Sequence, residues 1–138
     1  FRSFEMGKNA LVISRELSKD MEFAGQFLFK KLSMDNLPID AAMWFLYPDQ
    51  SWKYILIISD LAERGPTDVY KKISIINRNT PSQKYRPIPL EYIEAKDKNF
   101  FIYNRMKDFA RISSSKVRVS NSMINGLEIT DCLIYEFK

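Results

Sequence analysis

A chain of 138 residues has the length of one domain, and at 46% hydrophobic and 14% aromatic residues it carries too much core-forming material for a disordered tail or a fibrous repeat. It has no His and a single Cys, Cys132, which excludes imidazole and multi-thiolate metal sites, a Ser-His-Asp triad, a Cys-His dyad and an intrachain disulfide. The formal net charge of +4 is unevenly spread: residues 71–118 hold twelve Lys or Arg against four acidic residues, a net of +8, and the remainder is net acidic.

The first nine residues offer neither the apolar run of a signal peptide nor a small-residue cleavage site. Met6 can serve as a translation start, which would leave Phe1 to Glu5 outside the natural chain. From there Ala10, Ile13, Leu17, Met21, Ala24, Leu28 and Leu32 fall on one side of a 3.6-residue wheel and predict a long amphipathic helix. Phe23 and Phe27, four apart, form a second ridge beside that stripe, which suits either a helix covered on two sides or a homodimer seam.

Two apolar runs, Ile39 to Tyr47 and Trp52 to Ser59, flank Pro48-Asp49-Gln50-Ser51 and predict a β-hairpin covered on both faces, with Trp44 and Trp52 packed across it. Neither run approaches the roughly 20 residues that cross a bilayer, so no membrane association is expected. Gly65-Pro66 opens a second helix with a Val69, Ile73, Ile76 stripe, and the three prolines between Asn77 and Pro89 predict a loop. A short strand follows at Leu90 to Ala95, then a third helix over Lys98 to Ile112 with Asp97 as its N-cap. Lys116 to Ile124 and Leu127 to Phe137 flank Asn125-Gly126, a strong signal for a type I′ hairpin. The expected fold is α+β, one domain over residues 1–138: a mainly antiparallel sheet of about five strands with three helices, in the order α-β-β-α-β-α-β-β.

At Ala41 to Tyr47, the turn and Trp52, at Gly65-Pro66 with Tyr70, and from Ile124-Asn125-Gly126 to Ile134-Tyr135, the chain resembles a group of short uncharacterised bacterial proteins. They carry a similar aromatic hairpin, a helix opened by Gly-Pro and a C-terminal Asn-Gly hairpin. The resemblance implies a bacterial origin and a compact α+β fold. It attaches no activity, cofactor or site residue.

Three constellations carry chemical expectations. Lys71, Lys72, Arg78, Lys84 and Arg86, with Tyr85 among them as a stacking surface, and Lys116 and Arg118 further on, could neutralise phosphates of a nucleic acid. Pro48-Asp49 with Glu94-Ala95-Lys96 formally matches the PD-(D/E)xK pattern of divalent-metal nucleases, in which two carboxylates hold the cation and the lysine orients water. Asp49 is, however, already explained by its turn. On the third helix and the last strand, Arg105 and Asp131 each interrupt an apolar face, so each must snorkel outwards, find a partner or be turned away by a bulge near Thr130-Asp131, and their mutual pairing as a structural ion pair is expected. Cys132, between apolar neighbours and without a histidine base, reads as a small core residue. No phosphate-binding glycine loop is present, and no cofactor or metal is expected.

The sequence therefore points to a small cytoplasmic bacterial protein without catalytic machinery, acting by binding a protein partner, with a homodimer through Phe23 and Phe27 as one form of it. The alternatives are a nucleic-acid-binding module using the Lys71 to Arg118 lobe, and a nuclease using Asp49, Glu94 and Lys96.

Overall fold

The computed structural model describes residues 11–79, 86–108 and 116–138. Helix α1 spans Lys19–Met34. It starts later than the apolar periodicity suggests, because the Ser18 side chain accepts a hydrogen bond from the Met21 N–H and Asp20 and Glu22 stand in the first turn, where carboxylates favour a helix start. Ile13 thus precedes the helix, and Ala10 lies outside the described residues.

Strands β1 (Ile39–Leu46) and β2 (Trp52–Ile58) form the expected hairpin. Gln50 at φ 70° follows Pro48-Asp49, and its N–H returns to the Tyr47 carbonyl. After a short helix α2 (Leu61–Arg64), helix α3 (Pro66–Arg78) begins at its proline and carries the chain back to strand β3 (Ile93–Lys96), preceded by a single 3₁₀ turn at Leu90–Tyr92. Helix α4 covers Phe101–Met106; the Asp97 carboxylate accepts from the Asn99 N–H in a local turn ahead of it and does not cap it. The expected continuation of that helix to Ile112 lies outside the described residues. Strands β4 (Val117–Ile124) and β5 (Leu127–Phe137) close at Asn125-Gly126, both with positive φ as a type I′ turn demands.

The sheet runs β3-β2-β1-β5-β4. Three pairings are antiparallel and one, β2 with β3, is parallel, so the sheet is mixed although mainly antiparallel. The parallel pair follows from the α3 crossover, since a chain that returns over one face through a helix re-enters in its original direction. Strand β1, central and two-sided, sends Ala42, Trp44 and Leu46 to the α1 and α3 side and Ala41, Met43 and Phe45 to the α4 side. Among the described residues no helix is long and apolar enough to cross a membrane.

Helix α1 is fastened to the sheet by aromatic polar tips. Trp44 Nε1 donates to the Met21 carbonyl at 2.9 Å, Tyr135 Oη to that of Glu22 at 2.6 Å and Tyr54 Oη to that of Gly25 at 2.5 Å. The two tryptophans do not face each other: Trp44 lies opposite Tyr54, edge to face at 5.2 Å between centroids, while Trp52 lies opposite Leu46 and donates to the Arg15 carbonyl. On the same side of the sheet, buried Asn77 near the end of α3 grips Ile88 by both its N–H and its C=O.

Candidate functional site

The stripe Met21, Ala24, Gly25, Leu28 and Leu32 satisfies α1 against the sheet, so Phe23, Phe27 and Met34 are surplus to the core. They follow one another along the outward side of the helix at spacings of four and seven residues. Helix α3 buries Val69, Ile73 and Asn77 and turns Ile75 outward. Where the two helices lie side by side, joined by Lys72 and Asp35 at 3.2 Å, they leave an open groove of about 460 Å³ floored by Phe27, Met34, Ile75 and Ile76. Met34 is 75% exposed, Ile75 49% and Phe23 46%. Lys31 at the rim stands over the Phe27 ring, 5.4 Å from its centroid. A smaller depression of about 210 Å³ continues along α1 between Phe23, Phe27 and Lys30.

The cationic candidates are divided. Lys71, Arg78 and Arg86 are exposed. Lys72 is held by Asp35, Lys116 by Glu22 at 2.7 Å and Gln26 at 3.1 Å, and Arg118 by Asp131 through two hydrogen bonds. Lys84 and Tyr85 lie outside the described residues. A phosphate approaching Lys72, Lys116 or Arg118 would compete with the carboxylate of Asp35, Glu22 or Asp131 already paired to it.

The residues of the nuclease pattern each have a partner of their own. Asp49 is fully exposed in its turn, where the hydroxyl and N–H of Ser51 hold its carboxyl below the usual range. Glu94, on β3, accepts from the Tyr47 hydroxyl at 2.9 Å, and Lys96 stands over the Phe100 ring. Burial, then the Glu94 carboxylate, pushes the Tyr47 phenol well above its ordinary value and keeps it a donor. Among the described residues no group of three His, Cys, Asp or Glu side chains is placed to hold a metal ion.

The expected Arg105–Asp131 pair is replaced by another. Arg105 is exposed and donates to the Asn125 carbonyl at 3.3 Å, whereas Asp131 takes both Arg118 and Ser120. The reason is a slip in side-chain phase along β5: Ile129 and Cys132, three apart, both enter the core on the α4 side, which turns Asp131 to the opposite face. The slip sits at Thr130, across from Asn121 at φ 51° on β4. Arg118 holds the Asp131 carboxyl below its usual range, against the opposing effect of burial. A carboxyl so depressed adds stability above its unfolded-state pKa, and that contribution fades as pH falls through the folded value, below about 4. Asp131→Asn should therefore cost about 1 kcal/mol at neutral pH, a modest figure because the Arg118 side chain is 48% exposed, and the cost should vanish in acid. Denaturation midpoints at neutral and acid pH check this; an equal loss at both would contradict it.

Cys132 is buried, and burial pushes its thiol up to about 12. In the folded protein at pH 8 iodoacetamide should leave it unmodified, while unfolding by guanidinium should expose it to complete labelling. Rapid native labelling, read by mass, would contradict its placement.

Phe23 and Phe27 were legible as a ridge, but Met34 and Ile75 were not: an isolated apolar residue on an outward helix face is ordinary, and only the packing of α3 beside α1 brings the two together. The chain matches no protein-family model, no curated protein and no solved structure.

Proposed function

We propose that this protein is a small cytoplasmic binding module without catalytic machinery of its own, and that the groove between α1 and α3 is its contact face. One observation carries this reading: Met34 and Ile75 lie exposed in the groove between two helices and Phe23 continues that apolar surface along α1, three large side chains the core does not need. Exposed apolar groups gathered beside a groove and rimmed by charge are the usual composition of a protein contact site. The pairing of Lys72, Lys116 and Arg118 with carboxylates weighs against nucleic acid as the principal partner.

A photoreactive benzoylphenylalanine placed at Ile75, in cells that make the protein natively, tests it. A discrete covalent adduct is expected there, and none from the same group placed at Met123 on the distant β4 edge. Adducts from both positions alike, or from neither, would overturn the reading.

A further inference from the structure

Resting on the reading of this groove as the contact face, we infer that its occupant is an acidic amphipathic helix of a partner protein. The apolar ridge from Phe23 to Met34 runs eleven residues, roughly 16 Å or three helical turns, which matches the side of a short helix laid along it. The charges around it are mainly cationic: Asp35 also lines the groove but is engaged by Lys72, and Asp20 stands at the far end of the ridge, three residues before Phe23. Lys30 and Lys31 stand three and four residues after Phe27, and Lys71 and Arg78 stand four before and three after Ile75, so all four cations flank the apolar floor on their own helices. Among the described residues none of the four has a carboxylate partner, whereas Lys72, which also borders the groove, is already neutralised by Asp35. An apolar floor between cations is complementary to a helix with an apolar stripe flanked by glutamate or aspartate.

A second copy of this chain fits the charge less well. A two-fold contact sets the patch against its own copy, so the rim carrying Lys30, Lys31, Lys71 and Arg78 would face a second rim of the same net positive charge. A nucleic acid would find the cations but would set its phosphates and sugars over Met34 and Ile75, an aliphatic floor that offers no base-edge hydrogen bonds.

The probes are fluorescent peptides of about 18 residues, five helical turns, with one leucine stripe at helical spacing and the remaining positions glutamate-rich or lysine-rich, plus a scrambled acidic control. Anisotropy titrations of the intact protein should show the acidic amphipathic peptide binding at least about tenfold more tightly than either other peptide, a preference that shrinks as salt rises. The double variant Lys30→Glu, Lys31→Glu should reverse the preference, and Met34→Asp with Ile75→Asp should abolish binding of every peptide while leaving the circular dichroism spectrum unchanged. Equal or tighter binding of the lysine-rich peptide, still lost with Met34→Asp and Ile75→Asp, would overturn the acidic occupant and leave the groove standing as the contact face. No binding of any peptide would overturn the inference, and the cross-linking at Ile75 would then decide the groove separately. Concentration-dependent dimers in sedimentation that Ile75→Asp dissolves would assign the groove to a second copy. A single-stranded oligonucleotide that displaces the acidic peptide at equal concentration would assign it to nucleic acid. Either result overturns the inference.

Discussion

Gly25→Ala should destabilise the protein by about 3 kcal/mol, although alanine is the better helix former by about 1 kcal/mol. At this position α1 lies close against the aromatic side chains of the sheet. A Cβ there would stand 2.6 Å from Trp44 Nε1, 2.6 Å from Tyr135 Oη and 2.9 Å from Tyr54 Cε1. These groups are the ends of buried rings held by their own hydrogen bonds to α1, so none can yield without giving up a bond or moving the helix. Overpacking of a dense core costs about 1–3 kcal/mol, and each lost hydrogen bond about 1 kcal/mol more, which together exceed the propensity gain. Guanidinium unfolding followed by tryptophan fluorescence reads the change directly. Ala24→Gly, one residue earlier, serves as the control and should lose little beyond helix propensity and one methyl group. A Gly25→Ala midpoint equal to or above that of the parent would mean that the helix does not lie this close.

Asn77→Ala should cost a similar amount, about 3 kcal/mol, for a different reason. The Asn77 amide accepts from the Ile88 N–H at 3.1 Å and donates to the Ile88 carbonyl at 2.6 Å, and both residues are buried. Truncation leaves a backbone donor and a backbone acceptor without partners away from water, each worth about 1–3 kcal/mol. Asn77→Leu, which restores volume but neither hydrogen bond, should rescue little. Asn77→Asp is the informative variant, because it keeps the acceptor but sets a carboxylate oxygen against the Ile88 carbonyl. The ionised form is then disfavoured in the folded state, the folded pKa rises above the unfolded one, and stability lost at neutral pH should return as pH falls and the carboxyl becomes a donor. An Asn77→Asp protein equally unstable at pH 4 and pH 8 would contradict this geometry.

These two positions also mark where sequence reasoning reaches its limit. Turns were legible because their chemistry is local: Asn125-Gly126 and Pro48-Asp49 satisfy backbone angles that few other residues tolerate, and Gly65-Pro66 opens a helix by the same kind of local rule. The two-sided apolar strands announced a buried sheet centre, as found. Gly25, by contrast, reads from sequence as a weak point in a helix, since its reason lies in three aromatic residues 19 to 110 positions away. Asn77 reads as a polar residue beside a loop. The parallel pairing of β3 depends on where α3 lands, and no local pattern states it. Strict alternation along β5 placed Asp131 on the wrong face because the slip at Thr130 has no residue signature beyond Asn121 on the neighbouring strand. The groove was half legible, as the Phe23 and Phe27 ridge, and its other half came only with the packing of α3.

Methionine oxidation separates an occupied groove from an empty one, because Met34 in the groove is 75% exposed and Met123 on β4 is 67% exposed. In the purified protein a brief peroxide pulse should oxidise both at comparable rates. In cells that make the protein natively, a bound partner should slow oxidation of Met34 several-fold while Met123 keeps its rate. Met34 and Met123 oxidised in cells at the same relative rates as in the purified protein would contradict the account.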